Sequence, residues 1–196
     1  MLSFGGWVTI TSFVGPMMVI LDRFVIGALS GAKAVTYYTV PFQLGERSTL
    51  VSNSLSSAMF PRLAAVTEGE RQRLVCDGLC SLMVIMTPLV AAGILFMGTF
   101  LSLWIDSVFS SNSALVGQIL LVGFWVNGFA RIVSTQLQAL GRPDLVAKCH
   151  LLEVLPYFAL LYFGLSEFGL VGASIAFTLR VLLDFILLAR LSQVLL

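Results

Sequence analysis

Six times along this chain, a stretch of roughly twenty to thirty residues runs mostly apolar. The stretches cover approximately 5–29, 35–63, 74–103, 114–140, 145–165 and 169–194. About 20 such residues in a helix cross the hydrocarbon core of a bilayer. Because lipid offers no hydrogen bonds to a backbone, spans of this length are helical. The pattern predicts an all-α polytopic membrane protein with six transmembrane helices, organised as one unit over 1–196, because no connection is long enough to separate two domains. Composition agrees: 58% of the residues are hydrophobic and 11% are charged, less than half the charged share of a soluble domain. That balance excludes disorder, and a net charge of +1 excludes a nucleic-acid surface.

The connections read as short turns: Ser30–Lys33, Thr67–Arg73, Asp106–Ser113, Gly141–Asp144 and Glu167–Gly169. Four spans contain a proline (Pro16, Pro41, Pro88 and Pro156). Each removes a backbone hydrogen bond and is expected to kink its helix. With six spans, both termini and the second and fourth connections share one side. That side carries Arg62, Arg71, Arg73, Arg142, Lys148 and Arg190, against Lys33 alone on the other. The positive-inside rule therefore puts both termini in the cytoplasm. The opening MLSFGGWVTI has neither a basic region nor a small-residue cleavage site and does not read as a signal peptide. Three cysteines, Cys76, Cys80 and Cys149, are too few for a disulfide framework, and Cys76 and Cys80, one helical turn apart in an apolar stretch, are read as small membrane-buried hydrophobes. Gly172, Ala173 and Ala176 form a small-residue face suited to close helix packing.

The remaining four basic residues, Arg23, Arg47, Arg131 and Arg180, fall inside the spans. Each would cost about 2.5–3.5 kcal/mol facing lipid at a helix centre, so they are expected to face a bundle interior or a wet cavity. Asp22 adjoins Arg23, Glu46 adjoins Arg47, and Asp184 lies one turn beyond Arg180. Sequence neighbours point in different directions on a helix, so these pairs do not simply neutralise themselves. One reading is structural ion pairing. The other is a substrate path, with Arg23, Arg47 and Arg180 on one interior face and Arg131 nearer the cytoplasm. A guanidinium suits a phosphate because its fork binds two oxygens and stays charged. Asp22, Glu46 and Asp184 are the candidates for coupling or ion pairing. Ser48, Thr49, Ser52, Asn53, Ser56 and Ser57 give the second span a polar stripe, which serves either helix packing or a wet wall for sugar hydroxyls. Asn127, Arg131, Ser134, Thr135 and Gln138 give the fourth span another. His150 reads as a packing or interfacial residue. No metal-ligand, nucleotide-binding or nucleophile constellation occurs, so neither an enzyme, a cofactor nor a metal is expected.

Phe4-Gly-Gly-Trp7, Leu21-Asp-Arg-Phe-Val-Ile-Gly27, Tyr37-Tyr-Thr-Val-Pro41, Met59-Phe-Pro-Arg-Leu63, Gly141-Arg-Pro-Asp144 and Gly169-Leu-Val-Gly-Ala173, in that order, resemble the polysaccharide flippases of the MOP (MATE-like) superfamily, in particular the O-antigen (Wzx-type) branch. The resemblance implies a protein of the bacterial inner membrane that moves undecaprenyl-pyrophosphate-linked oligosaccharide to the outer leaflet. It implies two six-helix lobes around a cationic cavity, coupled in some relatives to protons or cations. Family members have about twelve to fourteen helices, and this chain matches the C-terminal lobe. The expected partners are the lipid-linked oligosaccharide, membrane lipids, and either an N-terminal lobe or a second copy. The competing readings are a multidrug extruder of the same superfamily, which should favour an acidic, aromatic pocket, and a structural membrane subunit without its own path.

Overall fold

A computed structural model describes the backbone of residues 2–194, and the side chains of residues 5–7, 9, 15 and 17–192. Among the described residues the chain forms five helices and no strand: α1 (Leu2–Arg47), α2 (Thr49–Ala65), α3 (Glu68–Trp104), α4 (Ser107–Ala139) and α5 (Pro143–Val194). Two of them are folded back on themselves. α1 turns at Gly31 (φ 82°, ψ 170°) and α5 at Gly169 (φ 59°, ψ −142°). These are backbone conformations that only glycine adopts without strain. The helical bodies are therefore 2–30, 32–65 with a break at Ser48, 68–104, 107–139, 143–168 and 170–194.

Local chemistry explains where the helices begin and end, and why the turns are tighter than the sequence suggests. The Thr67 backbone N–H and hydroxyl both donate to Glu70 Oε2, at 3.3 and 2.9 Å. This reciprocal cap starts α3 at Glu68, so the charged stretch expected to be a loop is helical. Arg71 closes the end of α2 by donating to the carbonyls of Leu63 and Val66 at 3.0 and 3.1 Å. Asp106 accepts the Phe109 N–H at 2.7 Å, which starts α4 at Ser107 and makes the Ser- and Asn-rich stretch helical too. After α4, Gly141 at φ 76° lets the Arg142 and Gly141 N–H groups reach the carbonyls of Leu137 and Gln138, both at 3.0 Å, as in a Schellman cap. Ser30–Lys33 and Glu167–Gly169 are helical apart from the two glycines.

Pro41, Pro88 and Pro156 lie within continuous helix, and the sharp turns within α1 and α5 fall at glycines instead. A proline in a membrane helix is tolerated when neighbours satisfy the freed carbonyl. The turns at residues 31, 141 and 169 use a glycine at positive φ, whereas those at 66–67 and 105–106 are made without one. The side chains of Pro16 and Phe4 lie outside the described residues.

α4 is the central helix and packs against all four others. Interhelical hydrogen bonds tie it in place: Ser110 Oγ to Gly98 O at 2.8 Å, Gln118 Nε2 to Ile94 O at 3.0 Å, Trp125 Nε1 to Thr87 Oγ1 at 3.2 Å, and Thr178 Oγ1 to Ile119 O at 3.1 Å. Two apolar cores meet on it. One joins α1, α4 and α5 through Ile26, Tyr38, Leu120, Tyr157, Leu161 and Ala173. The other joins α2, α3 and α4 through Leu63, Leu82, Met86, Leu101 and Ile132. In α5 the small-residue face works as expected. Gly172, Ala173 and Ala176 are buried, and a side chain on Gly172 would collide with the Gly164 carbonyl across the hairpin.

The distribution of polarity is inverted relative to a water-soluble protein. Leu103 is 83% exposed and Leu155 81%, whereas Glu153 is 6% exposed and Asp22 1%. Three helices are long and apolar enough to cross a membrane among the described residues: Glu68–Trp104, Ser107–Ala139 and Pro143–Ser192. The last contains the Gly169 turn. The chain is thus an all-α polytopic membrane protein. Apolarity alone does not mark all six expected crossings. α2 has 17 residues and carries the hydroxyl stripe, while α1 carries Asp22, Arg23, Glu46 and Arg47. Cys149 is buried, and Cys76 and Cys80 lie on the outward face of α3.

Candidate functional site: a cationic cavity between α1, α2, α4 and α5

An open cavity of about 740 Å³ lies between α1, α2, α4 and α5. Its wall is built from periodic faces of the helices. α4 contributes Asn127, Arg131, Ser134 and Gln138, spaced four, three and four residues apart, which is one face of a helix. α1 contributes Arg23, Phe42, Gln43 and Glu46, α2 contributes Thr49 and Asn53, and α5 contributes His150, Phe177, Arg180 and Asp184. The lining runs to Gln138 and Pro143, beside the turn at 140–142. The other end of the bundle, near Gly31 and Gly169, is filled by Ile26, Tyr38, Leu161, Leu165 and Ala173.

Of the residues singled out from the sequence, Arg23, Arg131, Arg180, Asn53, Asn127, Glu46 and Asp184 line this cavity. Arg47 does not. It lies in a second, apolar hollow of about 480 Å³ against α3, with Leu89, Phe96 and Phe100. Successive helix residues project about 100° apart; Glu46 takes the cavity side, and Arg47 is carried round to the other. The expectation that Arg23, Arg47 and Arg180 share one face is corrected on this point. Asp22 lies behind the wall, where it accepts a 2.6 Å hydrogen bond from the Tyr157 hydroxyl. Its neighbour Arg23 is directed to the cavity over the Phe42 ring, 5.6 Å from the centroid. The two residues thus diverge, as adjacent positions on a helix must.

The second-span stripe divides between its two readings. Thr49 and Asn53 face the cavity. Ser48, Ser52 and Ser56 are buried; Ser48 and Ser52 donate back to Gly45 O at 2.6 Å and Thr49 O at 3.0 Å, so they serve packing. Ser57 is exposed. Thr135 is likewise buried and turned to its own backbone, donating to Arg131 O at 2.8 Å.

Three features of the site were not drawn from the sequence. Arg180 Nε stands 3.6 Å from Glu153 Oε2, and its guanidinium sits 5.4 Å from the Tyr157 ring centroid. His150 Nε2 stands 3.6 Å from Asp184 Oδ1, so His150 belongs to the cavity's charged wall. Phe42, Phe124 and Phe177 form a mutual aromatic cluster at 5.0, 5.4 and 5.1 Å that lines the same space. The spacing of 150, 153 and 157 on one face of α5 was the available signal. The wall carries the three guanidiniums of Arg23, Arg131 and Arg180 against the two carboxylates of Glu46 and Asp184. A guanidinium that these carboxylates do not fully engage can bind an anion, and the amides and hydroxyls beside it can accept from or donate to hydroxyl groups. Among the described residues, no group of three or more His, Cys, Asp or Glu side chains is arranged to hold a metal ion.

Residues 1–114 match the family described as "Polysaccharide biosynthesis protein". The chain belongs to that family. It is 36% identical over 186 residues to a Shigella flexneri protein named "Putative O-antigen transporter", covering 94% of this chain and 44% of that one. It is 25% identical over 175 residues to a Haloferax volcanii protein named "Probable flippase AglR", covering 87% of this chain and 37% of that one. The chain thus spans less than half the length of the curated relatives it matches. No solved structure matches it. The family and both relatives agree with the resemblance to Wzx-type polysaccharide flippases drawn from the sequence motifs.

Proposed function

We propose that this chain is one lobe of a transporter that flips an oligosaccharide linked to undecaprenyl pyrophosphate across the bacterial inner membrane, for the synthesis of a surface polysaccharide. The observation that carries this reading is the placement of Arg23, Arg131 and Arg180 around one cavity of an otherwise apolar bundle. Arg23 and Arg180 are half-buried and Arg131 is exposed; guanidiniums held within a membrane bundle are costly unless an anion visits them, and a pyrophosphate supplies the sets of oxygens that the fork binds. Asn53, Asn127, Thr49 and Gln138 offer the polar contacts a saccharide requires. In this reading the helical bodies cross the membrane six times with both termini in the cytoplasm, as the distribution of Lys and Arg supports. The work is transport rather than catalysis, and an N-terminal lobe or a second copy completes the path.

The aromatic cluster of Phe42, Phe124 and Phe177, with Glu46 and Asp184, favours a second reading, the extrusion of organic cations. Such a cation would meet three guanidiniums in the same space, which weighs against it. The test uses a complete transporter containing this lobe, in a strain whose surface polysaccharide depends on it. Arg180→Ala should abolish surface polysaccharide while the protein still inserts, with Arg180→Lys restoring it only in part because an ammonium lacks the planar fork. Full polysaccharide in the alanine variant at normal expression would refute the reading. Loss of drug resistance with intact polysaccharide would favour the second.

A further inference from the structure

Arg180 has two sides. In front is the cavity it lines; behind it is Glu153, which does not reach the cavity. The Glu153 side chain is 6% exposed and that of Arg180 12%, so the two charges face each other away from bulk water. Their closest approach is 3.6 Å, short of a hydrogen bond. Neither Glu153 carboxylate oxygen has a hydrogen-bond partner, and neither has Arg180 Nε. The rest of the surround pulls both ways. Tyr157 sits under the guanidinium but spends its hydroxyl on Asp22. Asp184, one turn along α5, stands 3.6 Å from His150 and also neighbours the Glu153 carboxyl group. A buried carboxylate with both oxygens unsatisfied, facing a buried guanidinium that it does not fully engage, is an unfinished pair. The groups remain compensated in charge while the guanidinium keeps hydrogen-bonding capacity for something else.

We propose that Glu153 is a resident counter-ion that an anion entering the cavity must displace from Arg180, and that it thereby sets how weakly the site holds its cargo. This rests on the reading of the cavity as an anion site. When the cavity is empty, Glu153 neutralises Arg180 from behind. When a diphosphate arrives, the guanidinium turns its fork forward and leaves Glu153. When the diphosphate departs, Glu153 reclaims the charge. A site that binds too tightly cannot release, and a competing carboxylate within the wall lowers affinity without removing the recognition group. Glu153 is therefore a positioning residue that acts through Arg180.

The test is calorimetric titration of farnesyl diphosphate into the full 196-residue chain in non-ionic detergent micelles, with a melting curve for each variant. Glu153→Gln should bind about tenfold more tightly than the natural chain, because it removes a like charge from the anion's site. Glu153→Asp should show a smaller gain, since the shortened carboxylate draws back from the guanidinium. Arg180→Gln should lose binding. Damage to a merely structural residue weakens binding, so a gain in affinity is the readout that separates the two roles. Equal or weaker binding by a folded Glu153→Gln, with the natural chain binding, would overturn the counter-ion while leaving the anion cavity in place. No binding by any form would overturn both. If Glu153→Gln shows no cooperative melt, Glu153→Asp decides: tighter binding supports the proposal, and equal or weaker binding overturns it.

Discussion

Two hollows flank the end of α1, and they differ in almost everything but position. The larger, about 740 Å³, is lined by Arg23, Arg131, Arg180, Glu46 and Asp184 among amides and phenyl rings. The smaller, about 480 Å³, is lined by Leu44, Leu89, Phe96, Phe100 and other apolar groups, with Arg47 as its one charged residue. Glu46 borders the first and Arg47 the second. A single peptide bond separates a residue of the polar site from one that has no part in it. The lesson is that a charge in an apolar run reports a buried or wet environment without saying which one. Angle around the helix decides that.

The largest expected effect sharpens this contrast directly. In a complete transporter, Arg180→Ala should remove surface polysaccharide, whereas Arg47→Ala should leave most of it, because only Arg180 borders the polar hollow. Measuring capsule or O-antigen in the two strains side by side breaks the comparison if they fall equally. Next comes the wall behind the polar hollow. Tyr157→Phe deletes the 2.6 Å hydrogen bond to buried Asp22 and should destabilise the protein by about 1–3 kcal/mol, read by unfolding in micelles. Of similar or smaller size is Gly169→Ala, which forces a side chain into a glycine-only conformation at about 1–3 kcal/mol. It should disturb the polar hollow, to which both arms of α5 contribute, and spare the apolar one, to which α5 contributes no residue. The smallest effect belongs to Ala92→Phe. Ala92 borders the apolar hollow and is exposed, so filling that space should leave polysaccharide within about twofold of normal.

Much of this architecture was legible beforehand. The turns at 31, 105–106, 141 and 169 are where short polar or glycine-containing breaks interrupt apolar runs. The face formed by Asn127, Arg131, Ser134 and Gln138 follows from helical spacing alone, as does the shared side of Arg180 and Asp184. Pairings between distant segments were not legible. Asp22 and Tyr157 are 135 residues apart, and no local rule joins them. Glu153 with Arg180 and His150 with Asp184 meet only because α5 doubles back at Gly169. Periodicity likewise placed Arg47 in a helix, but its partner helix, α3 rather than α5, depends on how the bodies pack.

The contact of Gly172 with Gly164 bears on how one end of the bundle is shut. With no side chains between them, the two arms of α5 are riveted together near their bend, and the same end of the bundle is stoppered by Tyr38, Ile26, Leu161 and Leu165. The vessel has its polar floor space at one end and an apolar cork at the other. Tyr38 and Ile26 of α1 share that apolar plug with Tyr157 and Leu161 of α5, so side chains from both folded-back helices close this end of the bundle together.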